Sequence, residues 1–252
     1  MEVGEYYRLA AIEKKHWWYQ AVHELVVGQI EALYKGSALF ETPTRQSLVK
    51  ILDAGCGTGG LTKKLEQFGQ VTGLDISSLA LKLGQSRSLN SIRGTVNSLP
   101  FRRAKFDLIT SISVLYHQQV DDRLALGELL RVLKPKGNII LVLPAFSWLG
   151  GAHDLAVATK KRYSLGKASD LLNDAGFELI EARYLFSFLF PIFILKRVLE
   201  KFMPSAGRVS DLSAPPGLVN DLLFGICRVE WKLNKFIKLP FGSSLLVVGE
   251  KK

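Results

Sequence analysis

The middle of the chain alternates between two hydrophobic spacings. LVKILDA (48–54) is a short apolar run rich in branched residues and predicts a buried strand. After the glycines that follow it, Leu61, Leu65 and Phe68 recur at i, i+4 and i+7, one face of an amphipathic helix. QVTGLD (70–75) predicts a second strand ending on Asp75, and Ser77 suits the cap of a helix bearing Leu79 and Leu83. SIRGTV (91–96) and KFDLITSISVL (105–115) read as strands three and four. Asp121 and Asp122 open a helix with Leu126, Leu129, Leu130 and Leu133 at helical spacing, and Lys134-Pro135-Lys136-Gly137 stops it. NIILVLP (138–144) is the fifth strand. Ser164 caps a helix to Ala175, with Gly176 just beyond its end. FELIEARYL (177–185) and SLLVVGE (244–250) complete seven strands.

This order predicts an α/β fold: a Rossmann-like, doubly wound, seven-stranded and mostly parallel sheet with helices on both faces. A ligand belongs at the carboxyl ends of its strands. The glycine loop, Asp75, the stretch Thr95–Leu99 and the stretch Ser111–Ser113 all fall there and converge on one crevice. Residues 50–185 and 244–252 form this core. Residues 1–49 add a helical and aromatic cap containing His16-Trp17-Trp18-Tyr19. Residues 186–243 are too long for a simple hairpin and form a helical insert of the same domain.

Composition adds direction. The 252 residues carry 33 Lys+Arg against 23 Asp+Glu, a formal net charge of +10, which favours anionic partners. The N-terminus lacks the apolar core of a signal peptide, and Cys56 sits inside the glycine loop where a disulfide would be awkward. A reducing, cytoplasmic location is expected, with peripheral attachment to a membrane left open. The two cysteines offer no zinc spacing, and no metal is expected.

The loop ILDAGCGTGGL (51–61) satisfies two glycine rules. Gly55, Gly57 and Gly60 fit the G-x-G-x-x-G of a dinucleotide site. Gly55, Gly57 and Gly59 fit G-x-G-x-G, preceded by Asp53. A pyrophosphate would be repelled by that carboxylate. S-adenosyl-L-methionine has no phosphate, and its ammonium and sulfonium suit Asp53. Asp75 can accept ribose hydroxyls in either ligand and does not discriminate.

ILDAGCGTG, VTGLD, NSLPF before FDLITSISVLYH, and LLRVLKPKGNIILVLP resemble, in order and spacing, the class I S-adenosylmethionine-dependent methyltransferases of the type 11 group. The resemblance covers roughly residues 48–145. It implies a cofactor site of Asp53, Gly55, Cys56, Gly57, Gly59, Asp75, Ile76, Asn97, Ser98, Leu99 and Ser111. The family usually places an acid near the end of strand three, where this chain has Thr95. The flanks (EKKHWWYQ, HDLAVATKKRYS, LPFGSSLLVVGEKK) are similar to a bacterial and archaeal subgroup associated with surface-polysaccharide and glycolipid assembly. That subgroup has a histidine where Thr159 precedes KKRY.

Methyl transfer from a sulfonium needs mainly positioning and desolvation, and a general base only where the acceptor must lose a proton. His117 after strand four and His153 after strand five are the candidate catalytic residues. His16 suits a role in closing the aromatic segment over the cofactor, and His23 reads as an ordinary surface or helix histidine. Arg162 and Tyr163 suit an anionic acceptor group, or simply precede the next helix. The run YLFSFLFPIFIL, interrupted by Pro191, is too short to span a bilayer, but residues 186–203 suit a membrane interface, a pocket roof or a subunit contact. The expected function is methyl transfer to a small-molecule, glycan or lipid-linked acceptor, at oxygen. The alternatives are a nucleic-acid methyltransferase, supported by charge alone, and a cofactor-binding protein without turnover.

Overall fold

In a computed structural model, the chain is described over residues 3–37, 48–202, 215–234 and 236–252, without the side chains of 152, 153 and 200–202. The apolar runs form β1 (Lys50–Ala54), β2 (Gln70–Asp75), β3 (Ser91–Arg93), β4 (Phe106–Ile112), β5 (Leu133–Pro144), β6 (Phe177–Leu185) and β7 (Ser244–Lys251). They make one sheet in the order β3-β2-β1-β4-β5-β7-β6. β7 runs antiparallel between β5 and β6, and the other pairings are parallel. The order reverses between β1 and β4, so the crevice opens at the carboxyl ends of these two strands.

Alternate residues of β1 feed different cores, as a strand buried on both faces requires. Leu52 and Ala54 join a cluster with α5 (Asp122–Val132) and α7 (Leu165–Asp174). Ile51 joins the other, with α2 (Trp17–Leu33) and α3 (Gly60–Leu65). α1 (Val3–Ile12) lies against α4 (Ser78–Gly84). The short α6 (Ala152–Ala156) follows β5.

The insert forms α8 (Phe190–Phe202) and α9 (Gly217–Leu233). Leu189 and Cys227 enter the same cluster as α2, so the insert and the N-terminal helix share one layer over the sheet. Asn220 of α9 fastens them. Its Oδ1 accepts the Trp17 amide hydrogen at 2.7 Å, and its Nδ2 donates to the Lys15 carbonyl at 2.9 Å.

One local expectation is corrected, and one local feature is sharpened. The stretch Lys134–Gly137 does not separate helix from strand but lies within β5. Pairing with β4 shifts there, from Phe106↔Leu133 to Leu108↔Asn138, and Lys136 has φ +62°. Asp107 stabilises this bulge by accepting from Lys134 Nζ at 2.8 Å and from the Lys50 amide at 2.9 Å. Pro191 does not interrupt a helix. It occupies the first turn of α8, where its missing N–H has no intrahelical role.

Candidate functional site

A cavity of about 580 Å³ opens at the switch between β1 and β4. Its floor is the loop after β1 through Gly55, Cys56 and Gly57, whereas Gly59, expected in the cofactor site, does not line it and packs beside Leu89. Gly55, Gly57 and Gly59 take φ of +89°, +54° and +81°, a left-handed path closed to most side chains. That path turns the Gly57 amide toward Asp75 at the end of β2, and Asp75 Oδ2 accepts its hydrogen at 2.9 Å. Asp75 Oδ1 accepts from the Ser77 amide at 2.8 Å, while Ser77 Oγ caps α4 by accepting from the Ala80 amide at 3.2 Å. Burial raises the Asp75 pKa, and the Ser77 and Gly57 amides with the charge of His117 work against that rise.

Asp53 is 2% exposed on β1, in register with Thr110 of β4. Its Oδ1 accepts from Thr110 Oγ1 at 2.8 Å and its Oδ2 from Thr62 Oγ1 at 2.6 Å. Burial pushes its pKa up to about 6, against the two hydroxyls, and the charges of Glu13 and Asp75 add to the rise. The carboxylate therefore titrates near neutrality behind the glycine loop. Cys56 also lines the cavity, and burial raises its thiol far above the ordinary range, which makes it an inert wall.

Ile76, half exposed, lines the cavity beside Asp75. The expected positions further along fare differently. Gly94, Thr95 and Val96 line the cavity, whereas Asn97, Ser98 and Leu99 do not. Asn97 faces the start of α5, donating to the Gln119 carbonyl and accepting from the Asp121 amide. Leu99 is buried in the core, its amide held by Glu128 at 2.7 Å. Ser111 is likewise outside the cavity wall, fully buried with an unpartnered hydroxyl, while Ile112, Ser113 and Val114 form the wall. Within β4, the one-residue step from Ser111 to Ile112 puts the side chain on the opposite face, whereas residues 94–99 lie beyond β3, where a turn carries the chain away from the cavity.

His117 lines the cavity with its ring 4.6 Å from that of Tyr116. Burial lowers its pKa; the Val157 and Ser113 carbonyls and the charge of Asp75 partly offset this. His153 lies in α6, and its side chain is outside the described residues. Its neighbour Asp154 lines the cavity and receives Arg162 Nε at 3.0 Å and the Gly151 amide at 2.7 Å. Arg162 also faces the cavity and donates to the Ala145 carbonyl at 3.0 Å. Tyr163 instead enters the core, donating to Leu115 O and Asp122.

The cap supplies the opposite wall. His16 Nδ1 accepts the Trp18 amide hydrogen, capping α2, and His16, Trp17, Trp18 and Tyr19 all line the cavity. His23, expected as an ordinary surface or helix histidine, lies in α2 but is 6% exposed and also lines the cavity; burial lowers its pKa to about 3, with Lys64 and Arg87 adding to the fall. α8 contributes Phe193, Lys196 and Arg197, and Arg197 Nε donates to the Leu149 carbonyl at 3.1 Å. Glu13, at the corner between α1 and α2, went unnoticed in the sequence. It lies 47 positions from its partner Gly60, and no local pattern marks such a contact.

Adenosine-type ligands fit this lining on the chemistry of its donors. Asp75 is fixed by two amides yet retains carboxylate lone pairs for ribose hydroxyls. The helix start that would receive a pyrophosphate is already taken by the Glu13 carboxylate.

Comparison with known proteins agrees. Residues 52–141 match the family model described as a methyltransferase domain. A ubiquinone/menaquinone biosynthesis C-methyltransferase of Shewanella halifaxensis is 29% identical over 136 residues, 49% of this chain and 53% of that protein. A sterol 24-C-methyltransferase of Gibberella zeae is 28% identical over 159 residues, 57% of this chain and 40% of that protein. The chain thus spans about half the length of the curated relatives it matches, or less. A solved S-adenosylmethionine-dependent methyltransferase of Thermotoga maritima shares the fold with a TM-score of 0.58 at 20% identity, covering 99% of this chain and 96% of that one. The motif blocks, the sheet order and this match agree: residues 52–141 match a methyltransferase domain, on a fold shared with S-adenosylmethionine-dependent methyltransferases.

Proposed function

We propose that this protein transfers a methyl group from S-adenosyl-L-methionine to the oxygen of a small-molecule or lipid-linked acceptor. One observation carries the reading. The same cavity is lined by the Asp75–glycine-loop cradle and by the aromatic side chains Trp17, Trp18, Tyr19 and Tyr116. Gly55–Gly57 and Asp75 would hold the adenosine part, with Asp53 behind the loop as the negative charge nearest the amino-acid end. When bound, S-adenosyl-L-methionine supplies an electrophilic methyl on a sulfonium.

The chain's own residues do the rest. Tyr19, Tyr116 and Leu149 exclude water from the space between the cofactor cradle and α8. His117, which lines the cavity, takes the hydroxyl proton as the acceptor attacks. Asp75 carries the charge that steadies the imidazolium then formed.

A lipid-linked acceptor is supported by α8, which lines the cavity through Phe193 and shows Ile192, Leu195 and Leu199 outward, 58%, 59% and 51% exposed. No helix among the described residues is long and apolar enough to cross a membrane. Contact of this face with a bilayer surface would set the cavity mouth beside a lipid substrate. The curated relatives named above are C-methyltransferases, which supports methylation at carbon as a second reading.

The test is transfer of label from methyl-labelled S-adenosyl-L-methionine into a lipid extract, followed by NMR of the methyl product. An oxygen-bound methyl in the organic phase supports the proposal. A carbon-bound methyl moves the reading to the second. Label entering RNA instead would favour the nucleic-acid alternative.

A further inference from the structure

Gly60 is the third glycine of the dinucleotide-type spacing, yet what approaches it is a side chain of this chain. A Cβ at Gly60 would stand 2.3 Å from Cδ and Oε1 of Glu13 and 2.7 Å from Oε2, and these are its three nearest atoms. Glu13 is 5% exposed. Its Oε1 accepts the Gly60 amide hydrogen at 3.0 Å, its Oε2 accepts from Thr58 Oγ1 at 2.6 Å, and Arg87 pairs with it at 2.8 Å. Thr58 and Gly60 flank Gly59, so one carboxylate grips both sides of the last left-handed turn of the loop. The same residue ends the corner that leads into His16, Trp17, Trp18 and Tyr19.

We propose that Glu13 is a positioning residue for the methyl donor, acting through the glycine loop, and that Gly60 is glycine to admit Glu13 rather than a ligand. This rests on the reading of the cavity as an S-adenosyl-L-methionine site. The buried carboxylate supplies two acceptors to donors that the loop's turn leaves unpaired, and Arg87 balances its charge. With these bonds made, the Gly57 amide stays aimed at Asp75. Without them the loop is free to relax, and the cradle is only part-formed when the donor arrives. Gln at position 13 preserves part of this geometry: its oxygen can accept from Gly60, but its amide meets Arg87 donor to donor where Oε2 stood.

The experiment is calorimetric titration of S-adenosylhomocysteine into the wild-type chain and into Glu13→Ala, Glu13→Gln, Gly60→Ala and the Glu13→Ala/Gly60→Ala double variant, with the melting temperature of each. Glu13→Ala and Gly60→Ala should each weaken binding about tenfold, and Glu13→Gln by less than Glu13→Ala, since it keeps the bond to Gly60. The double variant should bind within about twofold of Glu13→Ala alone, since the clash has lost its partner. Where activity is measured, KM for the donor should rise while kcat at saturating donor holds.

Multiplied losses in the double variant would show that Gly60 meets the ligand itself, and would overturn the proposal. So would wild-type affinity in Glu13→Ala with only a lower melting temperature, which is the mark of a purely structural carboxylate. Failure of the wild-type chain to bind S-adenosylhomocysteine is a separate result and overturns the reading of the site on which this rests.

Discussion

Asp75 Oδ2 accepts the Gly57 amide hydrogen at 2.9 Å, joining the end of β2 to the loop after β1 as one rigid unit. The same carboxylate accepts from Ser77. Two charge-assisted bonds, each contributing about 1.5–3 kcal/mol, hold it ready for a ligand. Asp75→Ala should weaken S-adenosylhomocysteine binding by about tenfold or more, read by calorimetry.

Asp53 gives a pH-dependent stability whose sign is set by its raised pKa, about 6 in the fold against 3.8 for an ordinary aspartate. The unfolded chain ionises first, so the contribution of this group is fully present below the unfolded value and is lost as pH rises through 6. Asp53→Asn should remove that loss, because a Thr62 or Thr110 hydroxyl can turn to accept from the new amide. At pH 7.5 the variant should be more stable than the parent by up to about 3 kcal/mol in denaturant titration, while binding the positively charged donor less well. Below pH 4 the difference should vanish.

His117→Asn should lower kcat by about 10²- to 10⁴-fold if it removes the proton acceptor, with donor affinity largely kept. Because burial lowers the His117 pKa, the acid limb of the wild-type rate profile should fall below the ordinary histidine value, and the variant should lack that limb. A full rate in His117→Asn would move proton acceptance elsewhere, His153 being the next residue to replace.

Asn220→Ala tests the joint between insert and cap. It deletes both bonds to the α1–α2 corner and leaves the buried Trp17 amide without its acceptor. A loss of about 1–3 kcal/mol is expected, measured as a fall of several degrees in Tm.

Leu195→Glu with Leu199→Glu tests membrane contact through α8. Both side chains are more than half exposed, so the fold should hold. Co-flotation with vesicles containing anionic phospholipid should fall about tenfold or more. Unchanged flotation would remove α8 as the contact.

Much of the fold was legible because neighbouring residues encode it. β2 and β6 appear residue for residue where alternation and branched runs put them, and Ser77, Asp121 and Ser164 each cap their helices. That Asp53, Gly55, Gly57 and Asp75 line one crevice was legible, because their spacing is local. Asn97–Leu99 and Ser111 were harder. Each lies near the right strand end, but a one-residue step or a turn decides which face a side chain meets. Glu13 and Asn220 were invisible for a different reason. Their partners are 47 and 203 positions away, and only the folded layers bring them together.

The most direct measurement is the titration of S-adenosylhomocysteine into the wild-type chain, with NAD and ADP as competitors. The account predicts saturable binding at one site per chain, strongly weakened by Asp75→Ala and not displaced by either phosphate-bearing ligand. No binding of S-adenosylhomocysteine, or displacement by NAD at comparable concentration, would contradict it.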